Sequence, residues 1–119
     1  MALTKITSGV LGDEYTSSAQ LSPAAEMTVD TSVADIFTFT AAASSTLNFT
    51  NVIVGDMKTL VIIGGGGSYT ITLGTMNGAS ATYNLISGDY DDTSAIKNFI
   101  QIKFISTTEA WYTISQILI

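Results

Sequence analysis

The chain has 119 residues, a length that supports one domain with a modest core. Ten acidic side chains face four basic ones, the lysines Lys5, Lys58, Lys97 and Lys103, and the net charge is −6. This balance provides no basic patch for nucleic acid or an anionic membrane, and the absence of Cys and His removes disulfides, thiol catalysis, zinc–thiolate sites and the commonest general base.

Only 12% of the residues are charged whereas 46% are apolar, and the mean hydropathy is +0.40. Such a surface is either covered by Thr, Ser and Asn or partly buried against another chain, as in obligate oligomers. Residues 1–10 carry one lysine and no apolar run, so no secretory signal is expected there. The longest apolar stretch, residues 59–63, is far too short to span a bilayer.

Residues 1–31 are polar, rich in small side chains and without a sustained period. Gly9, Gly12 and Pro23 punctuate them. At most a short strand over 3–7 and one helical turn over 23–27 are expected, so the stretch reads as an extended N-terminal arm. A β-domain over residues 32–119 follows. From Ile36 onward apolar residues alternate with Thr, Ser, Asn or Lys, and a period of two sends successive side chains to opposite faces of a sheet. Residues 36–40 place Phe37 and Phe39 on one face, and residues 46–50 turn Leu47 and Phe49 inward. Residues 58–63 contain the run Leu60-Val61-Ile62-Ile63, which is expected to be covered on both faces. Four glycines at 64–67 lead to a strand over 68–73 with Tyr69, Ile71 and Leu73 on one side, and the two strands are expected to pair as a β-hairpin.

A short strand over 81–87 turns Tyr83 and Leu85 inward, and an acidic loop over 88–94 follows it. Residues 98–105 and 110–119 are the two longest strands, joined by a hairpin turn at 106–109. A helical turn over 93–98 is compatible with its residues. In the last strand Tyr112 and Ile114 share a phase that Ile117 and Ile119 leave. Either a β-bulge near Ser115 and Gln116 restores the phase, or both faces are buried, one in the core and one against a neighbouring subunit. The expected fold is all-β: a small antiparallel β-sandwich, jelly-roll-like, of about seven or eight strands.

Each candidate site competes with a plainer reading. A phosphate-binding loop needs Lys-Ser or Lys-Thr and a helix after its glycines, but Ser68-Tyr69-Thr70-Ile71 follows here, so the glycine run is read as a turn. Asp89, Asp91 and Asp92 are weak candidates for cation ligands; their spacing does not match an EF-hand, and a solvated acidic loop is the competing reading. Trp111 with Tyr69, Tyr83, Tyr90 and Tyr112 could form a platform for sugars, and the same rings are ordinary strand residues. Trp111 alternates against Tyr112 and Ile114 and is the ring expected to be exposed. No catalytic residue and no cofactor is indicated, and no enzyme is expected. Ile117, Leu118 and Ile119, with the strand around Leu60, are expected in the core or at a subunit contact.

Two stretches carry a family likeness. Residues 3–13, LTKITSGVLGD, resemble segments of bacteriophage tail-fibre and head-fibre proteins. From Phe37 to Tyr112 the chain resembles the small β-domain of phage fibres and virion appendages, through Leu47, Phe49, Asn51, Gly55, Asp56, Leu60, Ile62, Tyr69, Ile71, Thr72, Trp111 and Tyr112. The resemblance implies a structural virion protein, commonly a homotrimer, whose N-terminal arm around Lys5 and Ile6 anchors on the capsid or another virion protein. Unlike long fibres, this chain has one arm segment and one β-domain, without repeats or a coiled coil. That favours a short head fibre, a capsid decoration or a fibre-attachment module over a receptor-binding tip. The alternative is a carbohydrate-binding module of a host-recognition apparatus, with a host-surface glycan as partner.

Overall fold

A computed structural model describes residues 18–117. Within them the chain is all-β, with nine strands and no helix among the described residues: β1 (Ser18–Gln20), β2 (Glu26–Asp30), β3 (Ile36–Thr40), β4 (Ser45–Thr50), β5 (Met57–Ile63), β6 (Ile71–Met76), β7 (Thr82–Ser87), β8 (Lys97–Phe104) and β9 (Glu109–Gln116). The alternation predicted from Ile36 onward is visible side chain by side chain in β3, β4, β5 and β8, whereas in β7 Tyr83 turns inward and Leu85, expected inward, is exposed. In β8, Asn98, Ile100, Ile102 and Phe104 are buried while Lys97, Phe99, Gln101 and Lys103 face outward.

The strands wind between two facing sheets. β1, β3 and β5 run parallel in the first, while β2, β4 and β6 run parallel in the second. Each strand therefore lies beside the one two elements earlier: Ser18 pairs with Ile36 and Ile36 with Thr59, as Glu26 pairs with Thr46 and Ser45 with Ile71. This is a solenoid-like winding. The β8–β9 hairpin interrupts it. β8 pairs antiparallel with β5, β9 pairs antiparallel with β8, and β7 lies parallel on the far side of β9. The larger sheet is ordered β1-β3-β5-β8-β9-β7 and the smaller β2-β4-β6. Within the larger sheet only β8 opposes the common direction.

The expected jelly-roll-like antiparallel sandwich is corrected by these pairings, of which only β5–β8 and β8–β9 are antiparallel. A period of two specifies which side chains face the core, but it is the same for parallel and antiparallel neighbours. The glycine run shows the consequence. Residues 64–67 do not turn a hairpin; they carry the chain from β5 in one sheet to β6 in the other, where β6 pairs with β4. Their glycines answer to crowding. A Cβ on Gly64 would meet the carbonyl of Thr93, and one on Gly65 the carbonyl of Ala41.

Residues 18–31, assigned to the arm by their composition, carry β1 and β2. Met27 and Val29 of β2 are buried, and the Leu21 amide donates to the Thr38 carbonyl. Strands of three and five residues give an alternating pattern too few repeats to stand out from a polar background. Residue 27 lies in β2 rather than in a helical turn, and Lys97 and Asn98 open β8. The strand expected at 3–7 lies outside the described residues. The register of β8 and β9 runs unbroken from Phe104↔Ala110 to Asn98↔Gln116, so no bulge occurs at Ser115 and Gln116. Register shifts fall elsewhere, between Leu85 and Ser87 against β9 and between Leu47 and Phe49 against β6.

The core lies between the sheets. Phe37, Phe39, Leu60, Ile62, Ile100, Ile102 and Phe104 of the larger sheet meet Met27, Val29, Leu47, Phe49 and Met76 of the smaller. Burying one such side chain contributes about 1.5–3 kcal/mol against its exposed state. Phe49 ties the layers together, its ring 5.6 Å from Phe104 edge-on and 6.0 Å from Tyr83 between centroids. In β5 only the inner residues are fully covered; Val61 and Ile63 remain half-exposed, which corrects the expectation of burial on both faces.

Candidate functional site

Two regions hold the residues singled out from the sequence: the acidic loop at one end of the larger sheet, and that sheet's outer face.

The acidic loop closes over the glycine crossover. Asp92 Oδ2 accepts from the amides of Gly67 (3.1 Å) and Tyr69 (2.8 Å), and Oδ1 from the Gly65 amide (3.1 Å) and the Tyr90 hydroxyl (2.7 Å). Partial burial pushes the Asp92 carboxyl up, but the hydrogen bonds outweigh it and hold the group below the usual carboxylate value. Burial and the neighbouring Asp92 carboxylate push the Tyr90 phenol well above its ordinary value. Asp91 is held low by hydrogen bonds from Thr93, whose amide donates to Oδ1 at 2.9 Å. Asp89 is exposed, and its backbone carbonyl receives the Gln116 amide at 2.6 Å. An open depression of about 880 Å³ lies over this loop, lined by Gly66, Ser68, Gly88, Gln116 and the loop itself. Among the described residues no three carboxylates are arranged to hold a cation.

Asn98 locks the same loop to the sheet from below. Its fully buried amide donates to the carbonyls of Ile62 (3.0 Å) and Asp91 (2.8 Å) and accepts from the Asp91 amide (2.9 Å) and Gln116 Nε2 (2.8 Å). All of its donor and acceptor capacity is used. Lys58 fills a comparable position near the other end of β5. Its buried ammonium reaches Asp35 at 2.9 Å, the Ala34 carbonyl at 3.1 Å and Asp56 at 4.0 Å. Each stands in the inward phase of its strand, Asn98 with Ile100 and Ile102 and Lys58 with Leu60 and Ile62, and a polar residue in an apolar phase is the signal that sequence reasoning missed.

The outer face of the larger sheet carries Trp111. Along one row across the strands lie Met57, Lys103, Trp111 and Asn84; along another lie Thr38, Val61, Phe99 and Ser115. Trp111 is exposed, as its phase against Tyr112 and Ile114 predicts. The indole is nonetheless held: Nε1 donates to Glu109 Oε2 at 2.7 Å, and Asn84 Nδ2 donates to the same oxygen at 2.9 Å. A shallow groove of about 160 Å³ runs beside it, walled by Met57, Ile86, Ile105, Gln101, Lys103 and Thr113. The tyrosines do not join this surface as one platform. Tyr83 points into the core, where burial pushes its phenol up to about 12, and Tyr69 and Tyr90 sit at the acidic loop. Ile117 is exposed, its amide donating to the Lys97 carbonyl. Lys5, Ile6, Leu118 and Ile119 lie outside the described residues.

The chain matches no protein-family model, no curated protein and no solved structure.

Proposed function

We propose that the protein is a structural component of a bacteriophage virion, acting through shape and apolar contact. It associates with copies of itself and docks on the capsid or on another virion component, as a head fibre, decoration or fibre-attachment module. The carrying observation is the use made of its polar groups. Asp92, Asp91, Asn98 and Glu109 spend their hydrogen bonds on backbone crossovers, strand ends and a tryptophan side chain. Carboxylates and amides committed in this way stiffen a scaffold. The resemblance of residues 3–13 and of the strand series to phage fibre segments supports the virion setting and a trimeric assembly, with the Lys5 arm as anchor. Antibodies raised against the purified chain and applied to purified particles test the reading. Labelling at regular positions on the particle is expected. Absence of the chain from purified particles, with the protein found only in infected-cell lysate, would overturn it.

Exposure of Trp111 favours a second reading, a glycan-binding module, because a held indole beside Gln101, Lys103 and Thr113 offers a stacking surface with polar neighbours. Titrating oligosaccharides while following tryptophan fluorescence checks it, since Trp111 is the single tryptophan. Unchanged emission across neutral and acidic sugars removes this reading.

A further inference from the structure

We infer that the outer face of the larger sheet is the surface through which one copy of this chain packs against another, with Trp111 as its aromatic anchor and Lys103 of one copy meeting Glu109 of the next. The inference rests on the self-association proposed above and names the surface that performs it.

Ile36, Met57, Ile86, Phe99, Ile105 and Trp111 are each between 37% and 63% exposed. They spread over β3, β5, β7, β8 and β9, whereas a sugar stacks on one ring. Large apolar side chains distributed across a whole face fit another protein surface. Six strands about 4.8 Å apart, with residues rising about 3.3 Å along each, give a footprint of roughly 500–600 Å² before side-chain relief is added. Stable pairs bury about 600–1,000 Å² per partner, so the whole face, with side-chain relief added, reaches the lower end of that range.

Charge selects another copy as the occupant. The chain carries −6 overall, and Asp30, Asp35, Asp56, Asp89, Asp91 and Asp92 lie in loops or at strand ends. The outer face carries Lys97, Lys103 and Glu109, so two acidic molecules meet there with the least repulsion. Lys103 lies beside Trp111 in the register, and no carboxylate among the described residues pairs with it. Both hydrogen bonds to Glu109 fall on Oε2, which leaves Oε1 for a further partner. An unpaired cation and a half-used carboxylate therefore flank one exposed indole. When copies meet through this face, each charge finds its opposite on a neighbouring copy. The Glu109 and Asn84 contacts hold the ring before association, so little side-chain freedom is lost on binding.

The test uses the full chain at micromolar concentration, with mass read by light scattering and fold by circular dichroism. The wild type is expected above the 12.5 kDa of one chain. Trp111→Ala should weaken association by about tenfold or more. Lys103→Glu and Glu109→Lys should each weaken it, and the double exchange Lys103→Glu/Glu109→Lys should associate better than Glu109→Lys alone, recovering the charge pairing though not the hold on Trp111. A merely structural role for either residue would not produce that rescue. If the wild type assembles and none of these variants changes its mass, this face is overturned while self-association stands. A wild type that stays monomeric overturns both. Trp111 fluorescence that responds to oligosaccharides in a monomeric chain assigns the face to a glycan instead.

Discussion

At the residue scale, the acidic loop contains a carboxylate whose ionised form holds the backbone. Asp92 is read from the sequence as one of three clustered acids, and that cluster invites a cation. Its actual partners are the amides of Gly65, Gly67 and Tyr69. The clustering was legible. The use was not, because the partners lie more than twenty positions away. Its folded pKa is lowered, so its contribution is complete above the ordinary value of 3.8 and is lost as pH falls through the depressed one. Asp92→Asn should therefore lower the melting temperature at neutral pH and flatten the loss of stability below about pH 4, which an acid titration followed by circular dichroism measures against the wild type. Asn98 gives the larger effect, being fully buried where Asp92 is partly solvated. Asn98→Leu preserves volume and abolishes the bonds to Ile62, Asp91 and Gln116. Each buried group left unpaired costs about 1–3 kcal/mol, so a melting point lower by about 10 °C is expected from calorimetry.

At the element scale, most strands from β3 onward were legible, β6 lying at Ile71–Met76 instead of the expected 68–73, while of their pairings only the β8–β9 hairpin was. Phe37 and Phe39, Leu47 and Phe49, and Tyr112 with Ile114 all turn inward as their alternation dictates. The turn at 106–109 joins an antiparallel pair because β8 and β9 are adjacent in sequence and long enough to register. Equal proximity between β5 and β6 misleads, since the chain crosses to the other sheet through residues 64–67. A hairpin turn would tolerate an added methyl at its first residue. A crowded crossover does not: in Gly64→Ala the new Cβ meets the backbone of Asp92 and Thr93. Overpacking of this kind costs about 1–3 kcal/mol, and because Asp92 clamps the same crossover, the substitution should also loosen the acidic loop. Hydrogen exchange of the Gly65, Gly67 and Tyr69 amides reads that loosening. Unchanged protection in Gly64→Ala would mean that loop and crossover are independent.

At the scale of the whole molecule, the winding determines how the chain must fold. Every parallel pairing from β1 to β6 joins strands separated by a complete crossing to the other sheet, and β7 waits for β9 beyond β8, so loop-closure entropy is spent before the contacts form. The β8–β9 hairpin is the exception, closed by a short turn in which the amides of Ile105 and Ser106 both donate to the Glu109 carbonyl. It also occupies the middle of the larger sheet, between β5 and β7. A locally formed hairpin in that position can template both neighbours, β5 on one side and β7 on the other. Folding should accordingly be slow for a domain of this size, on the milliseconds-to-seconds scale of non-local β topologies. Conservative truncations at Ile100 and Ile102 should slow folding, with φ-values of about 0.5 or more. Truncations at Met27 and Val29 in β2, which wait for β4, should mainly speed unfolding, with φ-values of about 0–0.3. Chevron measurements on the four variants decide the order. High φ in β2 with low φ in β8 would place the nucleus in the parallel winding and remove the hairpin as its template.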